Sequence, residues 1–250
     1  MIRDDECLDD LQNGFFLIQK KSGFKFGVDA VLLADFAKDA PSKMTLDLCT
    51  GTGIVPILLS AKTKTPKICG LEIQSEIAEM AARSVEYNKL AERVFIECGD
   101  LKNASEIYGK NVFDKITCNP PYMKGGAGFT NDIDTKTISR HEVMCSLDDV
   151  IRASSQLLVP KGRFFMVHRP TRLADIMCTM RKYRIEPKKL RFVHPAPSKA
   201  ANMVLVEGMS MGGEELKMLP PLYVYNDDGT YSDEINEIYG RNTTEKEEQT

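Results

Sequence analysis

The feature that most constrains this chain is the run Leu46-Asp47-Leu48-Cys49-Thr50-Gly51-Thr52-Gly53. A short apolar strand breaks into a glycine turn, and a helix opens behind it. Gly51 and Gly53 let the backbone turn tightly and approach a ligand closely. A dinucleotide fold would carry its third glycine at position 56, where Pro56 stands. A phosphate-cradling loop would end in Gly-Lys-Ser/Thr, which is absent. The turn therefore suits a ligand without a pyrophosphate.

Around that turn, strand patterns alternate with helix patterns. A short strand is expected at 15–18, a glycine-containing turn at 24–29, and an amphipathic helix from Asp29 that Pro41 ends. Seven strands follow, at 44–48, 67–72, 93–98, 113–118, 162–168, 190–194 and 202–207. Helices are expected at 54–61, 75–90, 147–158 and 171–183. This order predicts an α/β fold with a mostly parallel sheet and helices on both faces. The last two strands have only a Pro-Ala-Pro-Ser turn between them, which predicts an antiparallel hairpin at the sheet edge.

At 250 residues, the chain suits one such domain. We expect it to span 1–242, followed by a disordered polar tail at 243–250. No stretch approaches a membrane span, and the acidic N-terminus lacks a secretory signal, so a cytoplasmic protein is expected. The seven cysteines are scattered without CxxC pairs. Buried free thiols are expected, with neither a disulfide framework nor a metal site. Net charge is −3, yet residues 161–199 hold eleven Lys and Arg against Asp175 and Glu186. A basic stripe on an otherwise acidic chain fits an anionic partner on one face, or a solvated rim.

Four successive strands end in chemistry. The first ends in the glycine turn, with Asp47 and Cys49 leading into it. Glu72 ends the second and can accept hydrogen bonds from ribose hydroxyls. Asp100 follows the third and can accept from an adenine amino group. Asn119-Pro120-Pro121-Tyr122 follows the fourth. In an open α/β sheet, ligands collect outside these carboxyl ends. Each acid alone also reads as a helix cap.

Together, Asp47 to Gly53, Glu72, Asp100 and Asn119-Pro120-Pro121-Tyr122 resemble the class I S-adenosylmethionine methyltransferases, and the last motif their amino-methyltransferases. The resemblance implies a Rossmann-like, seven-stranded sheet and S-adenosylmethionine as cofactor. An amine conjugated to a ring is a poor nucleophile. The Asn119 carbonyl and the Pro120 backbone carbonyl can each accept one of its N–H groups, which favours the pyramidal transition state. The prolines hold that turn rigid. Tyr122 offers a stacking face for a flipped base. Cys118 precedes Asn119 and reads as a structural thiol rather than a nucleophile.

Upstream, Lys25, Gly27, Asp29, Leu32 and Leu33 resemble the pattern that precedes the cofactor turn in the bacterial tRNA1(Val) (adenine-37-N6)-methyltransferase family. The resemblance runs from about Phe15 to Tyr225. It implies that residues 1–42 cover the cofactor, with Asp29 near the methionine ammonium; a helix N-cap is the other reading of Asp29. It implies tRNA as partner, with neither membrane nor metal. Arg140 and His141 then fall in a loop over the base, where the chemistry has no need of a histidine base. Arg163, His168, Arg169, Arg172 and Arg191 become candidates for RNA contact, with Arg181, Lys182, Arg184, Lys188 and Lys189 as further phosphate contacts. Guanine N2 and a glutamine side chain remain alternative acceptors for the same motif. A non-catalytic protein of the same fold is the alternative of another class.

Overall fold

The computed structural model describes residues 2–12, 14–22, 26–121 and 145–241. Tyr122, Lys25, Arg140, His141 and the 243–250 tail lie outside the described residues.

The centre is a parallel array, β3 (Met44–Leu48), β4 (Lys67–Glu72), β5 (Val94–Cys98) and β6 (Phe113–Cys118). Between these strands run α2 (Ile54–Lys62), α3 (Ser75–Tyr87) and α4 (Ala104–Tyr108). Beyond β6 come α5 (Leu147–Leu157), β7 (Leu158–His168), α6 (Leu173–Lys182), β8 (Ile185–His194) and β9 (Met203–Ser210). The sheet order is β8-β9-β7-β6-β3-β4-β5. Only β9 runs antiparallel, against both β7 and β8. This is the expected seven-stranded sheet with its edge hairpin.

Two strands were not expected. β10 (Lys217–Met218) and β11 (Leu222–Tyr223) pair in parallel with β8 and bring the sheet to nine strands. They lie one after the other along β8 and cover an edge that would otherwise expose unpaired backbone groups. A short helix, α7 (Asp233–Ile238), follows.

Leu46 and Leu48 face one side of the sheet, in a core shared with Val150, Ile151, Ile176 and Met180 of α5 and α6. The opposite core gathers Leu32 and Leu33 of α1 (Val28–Ala37) with Ile57 and Leu59 of α2. Burial on both faces explains why these strands read as apolar runs.

The N-terminal segment forms a hairpin of β1 (Glu6–Gln12) and β2 (Phe15–Lys20), where only β2 was expected. It lies along α3. Ile18 N–H donates to Ser84 Oγ at 3.0 Å, and Asn88 exchanges two bonds with the Phe16 backbone. Arg83 of α3 grips the buried Glu6 carboxylate through two nitrogens, at 2.6 and 2.8 Å. No described helix is long and apolar enough to cross a membrane.

The thiols depart from expectation. All seven cysteines are free, but only Cys69 and Cys118 are buried, and Cys98 and Cys178 are exposed. Cys98 is the last residue of β5, the terminal strand of the sheet.

Candidate active site

Parallel register brings the strand ends level. Leu48 pairs with Leu71 on one side and Cys118 on the other, and Glu72 pairs with Cys98. The glycine turn, Glu72, Asp100 and Asn119 therefore stand along one rim.

The turn itself is strained. Cys49, Gly51 and Gly53 all adopt positive φ, at 57°, 56° and 84°. A non-glycine residue there costs on the order of 1 kcal/mol, the kind of strain that collects at ligand clamps. A Cβ on Gly53 would lie 3.2 Å from Ala81 Cβ, so this glycine allows α3 to pack close. A Cβ on Gly51 would meet nothing within 4 Å, so this glycine faces open space.

Glu72 is the strut of the turn. It is buried, its Oε2 accepts from Gly51 N–H at 2.9 Å, and its Oε1 accepts from the Gln74 backbone and side chain. An ionised carboxylate offers about four acceptor sites. Three donors from the chain leave room for a further donor at Oε2. Asp100 Oδ1 caps the next turn, accepting from Lys102 N–H at 2.9 Å.

Asp47 lies beneath the turn, only 1% exposed. Alternation along β3 turns it away from Leu46 and Leu48, toward Thr117 on the neighbouring rung. Thr117 Oγ1 donates to Asp47 Oδ1 at 2.6 Å. Burial pushes the Asp47 carboxyl up to about 7, against the opposing pull of the Thr117 and Thr50 hydroxyls. Asp47 thus supports the turn from within the sheet.

Asn119 and Asp29 meet. Asn119 Nδ2 donates to Asp29 Oδ2 at 3.0 Å, which joins the end of β6 to the start of α1. At the other end of the same pair, the fully buried Lys115 of β6 donates to the Ala37 carbonyl, the last of α1, at 2.7 Å. The lengths match. Eight helical residues from 29 to 37 rise about 12 Å, and four strand residues from 115 to 119 about 13 Å. Helix and strand are thus fastened at both ends. Pro120 is buried behind Asn119.

Three thiols collect on the inner side of this rim. Cys49 Sγ lies 3.9 Å from Cys145 Sγ, and the Cys118 thiol adjoins Cys49. The neighbouring Cys118 thiol pushes the Cys49 thiol up, and burial does the same to Cys118. Neutral thiols are the result, which suits a structural lining better than a nucleophile. Cys145 was not singled out in the sequence, because nothing local links it to Cys49. Among the described residues, no group of three or more His, Cys, Asp or Glu could hold a metal ion.

The candidate RNA contacts divide. His168 ends β7, two residues past the rung that pairs Met166 with Cys118, so it stands level with Pro120 just beyond the end of β6. Its Nδ1 accepts from Arg169 N–H at 2.8 Å. Burial, with Arg172 and Arg169 nearby, pulls the imidazole down to about 4. It is therefore neutral near pH 7, with its proton on Nε2. Arg169 and Arg172 follow on the same rim, and Arg172 pairs with Asp175 at 2.7 Å.

Arg163 and Arg191 are not brought to the site. Arg163 is level with Lys115, low in the sheet, and is tied to Glu207 at 2.6 Å. Arg191 lies on β8, three strand spacings or about 14 Å from β6. Its guanidinium holds both oxygens of Glu234 and the Pro220 carbonyl. Elsewhere in the basic segment, Arg181 pairs with Glu186 and Glu214, Lys182 with Asp148, and Lys189 with Glu207. Much of the apparent basic stripe is therefore neutralised by acids distant in sequence.

Comparison with known proteins agrees with this architecture. The methyltransferase small domain family matches residues 25–182. A tRNA1(Val) (adenine(37)-N6)-methyltransferase of Porphyromonas gingivalis is 30% identical over 77% of this chain and 77% of its own. A protein of the same name from Aeromonas hydrophila is 27% identical over 88% and 90%. The crystal structure of a predicted O-methyltransferase from Agrobacterium tumefaciens superposes with a TM-score of 0.70 at 22% identity, over 85% of this chain and 96% of that one. A family model that spans most of the chain and a relative 30% identical over three quarters of it place the chain in the methyltransferase small domain family.

Proposed function

We propose that this methyltransferase uses S-adenosylmethionine to methylate N6 of an adenine in tRNA, adenine 37 of tRNA1(Val) being the position in its relatives' names. The observation that carries the reading is Asn119-Pro120 at the end of β6, on the same rim as the strained turn and Glu72.

The residues present fit that cofactor. The turn has no pyrophosphate cradle. Gly51 opens onto free space, and Glu72 Oε2 can take a ribose hydroxyl. We assign Asp100 to the adenine edge, and Gly27 and Asp29, with Lys25 from outside the described residues, to the methionine end. When bound, the cofactor supplies an electrophilic methyl group.

The chain's own residues prepare the acceptor. The Asn119 side-chain carbonyl and the Pro120 backbone carbonyl each take one N–H of the amine. Two fixed acceptors raise electron density at nitrogen, and their placement precedes substrate arrival. Tyr122 provides the stacking face. The methylated amine is acidic and loses its proton to water, so no protein base is required. Neutral His168 fits this scheme as a hydrogen-bond donor through Nε2. Arg169 and Arg172, on the rim beside it, are the phosphate contacts we favour; Arg140 and His141, outside the described residues, are proposed as base contacts. One domain over 1–242 in the cytoplasm completes the reading.

The test uses methyl-labelled S-adenosylmethionine with total tRNA, total rRNA and release factor in parallel. Label is expected in tRNA. Label confined to protein, or to guanine in rRNA, overturns the substrate.

A further inference from the structure

We infer that Asp29 is a positioning residue for methyl transfer, because its carboxylate fixes which way the Asn119 amide faces. An asparagine side chain can present either its oxygen or its nitrogen to a reacting amine, and only the oxygen can accept the amine's N–H. The choice is made by the opposite side of the amide. A carboxylate is acceptor only, so Asp29 Oδ2 at 3.0 Å admits Nδ2 and excludes Oδ1. Oδ1 is thereby turned to the opposite edge of the amide group. The bond is charge-assisted, so it holds this orientation more strongly than a neutral partner would.

The carboxylate is itself held. Asp29 Oδ1 accepts from Ala30 N–H at 3.0 Å, at the first turn of α1. Gly27 leaves the room this needs. A Cβ there would lie 2.7 Å from Asp29 Oδ1, although the Gly27 φ of −102° suits any residue. A Cβ at this position would push the Asp29 carboxylate aside, so the glycine serves space rather than conformation. The Lys115 bond to Ala37 then fixes the far end of α1 against β6. Gly27, Asp29 and Lys115 thus act on one atom of Asn119 without touching the methyl-accepting amine.

This inference rests on the reading of Asn119 as the amine acceptor. Its test separates orientation from cofactor binding. Asp29→Asn keeps the size but offers a donor as well as an acceptor, so it no longer excludes Oδ1; Asp29→Ala removes the partner altogether. At saturating cofactor, kcat is expected to fall about 10- to 100-fold in Asp29→Ala and at least about tenfold in Asp29→Asn. Adding Asp29→Ala to Asn119→Ala is expected to lower kcat no further than Asn119→Ala alone. An Asp29→Asn kcat within about threefold of the wild type overturns the inference. So does additivity in the double variant, or an Asp29→Ala defect confined to the KM for cofactor.

A second readout needs no turnover. The Asn119 side-chain amide protons, identified by their loss in Asn119→Ala, are expected to be shifted and slow to exchange in the wild-type chain. In Asp29→Ala they are expected to move to the positions of a solvated amide. Unmoved resonances sink the inference. Failure of the wild-type chain to methylate adenine, with those resonances behaving as expected, counts against the proposed substrate alone.

Discussion

Lys115 offers the sharpest physical test of how β6 and α1 are joined. Its side chain is fully buried, and its one hydrogen bond reaches the Ala37 carbonyl. Burial pulls its ammonium down from 10.5 to about 8, with Asp39 opposing only weakly. At ~1.4 kcal/mol per pH unit, the charged form is disfavoured in the fold by about 3 kcal/mol. The sign follows from the two protonation curves. Below pH 8 the lysine is charged in both folded and unfolded chains, and the destabilisation is full. Between pH 8 and 10.5 the folded chain has released the proton and the unfolded chain retains it, so stability rises with pH.

Lys115→Met removes the titration and keeps most of the volume. It also leaves the Ala37 carbonyl without its partner, at about 1–3 kcal/mol. At pH 7 the two changes nearly offset, and the variant is expected to match or slightly exceed the wild type. From pH 7 to 9.5 the wild type is expected to gain about 2 kcal/mol relative to the variant. Urea unfolding of both proteins across that range measures the difference. Parallel stability curves would refute the reasoning, because they would mean that the buried ammonium keeps its ordinary affinity for protons.

Other outcomes follow from the same geometry. Arg83 holds Glu6 down to about 2, so this pair contributes fully above about pH 4.5 and is lost as pH falls toward 2; Glu6→Gln should cost about 2 kcal/mol at pH 7 and little at pH 2.5 by urea unfolding. Glu72→Ala should raise the Kd for S-adenosylmethionine at least about tenfold by calorimetry, about 1.4 kcal/mol, through loss of both the ligand contact and the Gly51 strut. His168, at about 4, is neutral throughout the working range; His168→Asn should leave the shape of the pH–rate profile from 6 to 9 unchanged, and an inflection that vanishes in the variant contradicts this.

The order of elements and the level rim of strand ends were legible in the sequence, because buried parallel strands write themselves as apolar runs closed by turn residues. What escaped had local causes. β1 reads Glu-Cys-Leu-Asp-Asp-Leu-Gln, and its aspartates mask a strand that depends on pairing with β2 and on Arg83. The first half of β8 carries Pro187 beside two lysines, where the register with β9 slips. β10 and β11 have two residues each, too few for any period. The two fastenings between α1 and β6 span 78 and 90 residues, and no local pattern could reveal them. Neither could it reveal that Glu207, Glu234 and Asp148 would pair with Arg163, Lys189, Arg191 and Lys182 of the basic segment.

The central claim is that Asn119 and Pro120 make an amino nitrogen reactive toward the methyl donor. Its most direct measurement is nucleoside mass spectrometry of purified tRNA after incubation with labelled S-adenosylmethionine and either the wild-type chain or Asn119→Ala. The account predicts labelled N6-methyladenosine with the wild type. With Asn119→Ala it predicts a loss of about 100-fold or more, cofactor binding being retained. Label on a carbon or oxygen of the nucleoside, or undiminished N6-methyladenosine from the variant, would contradict it.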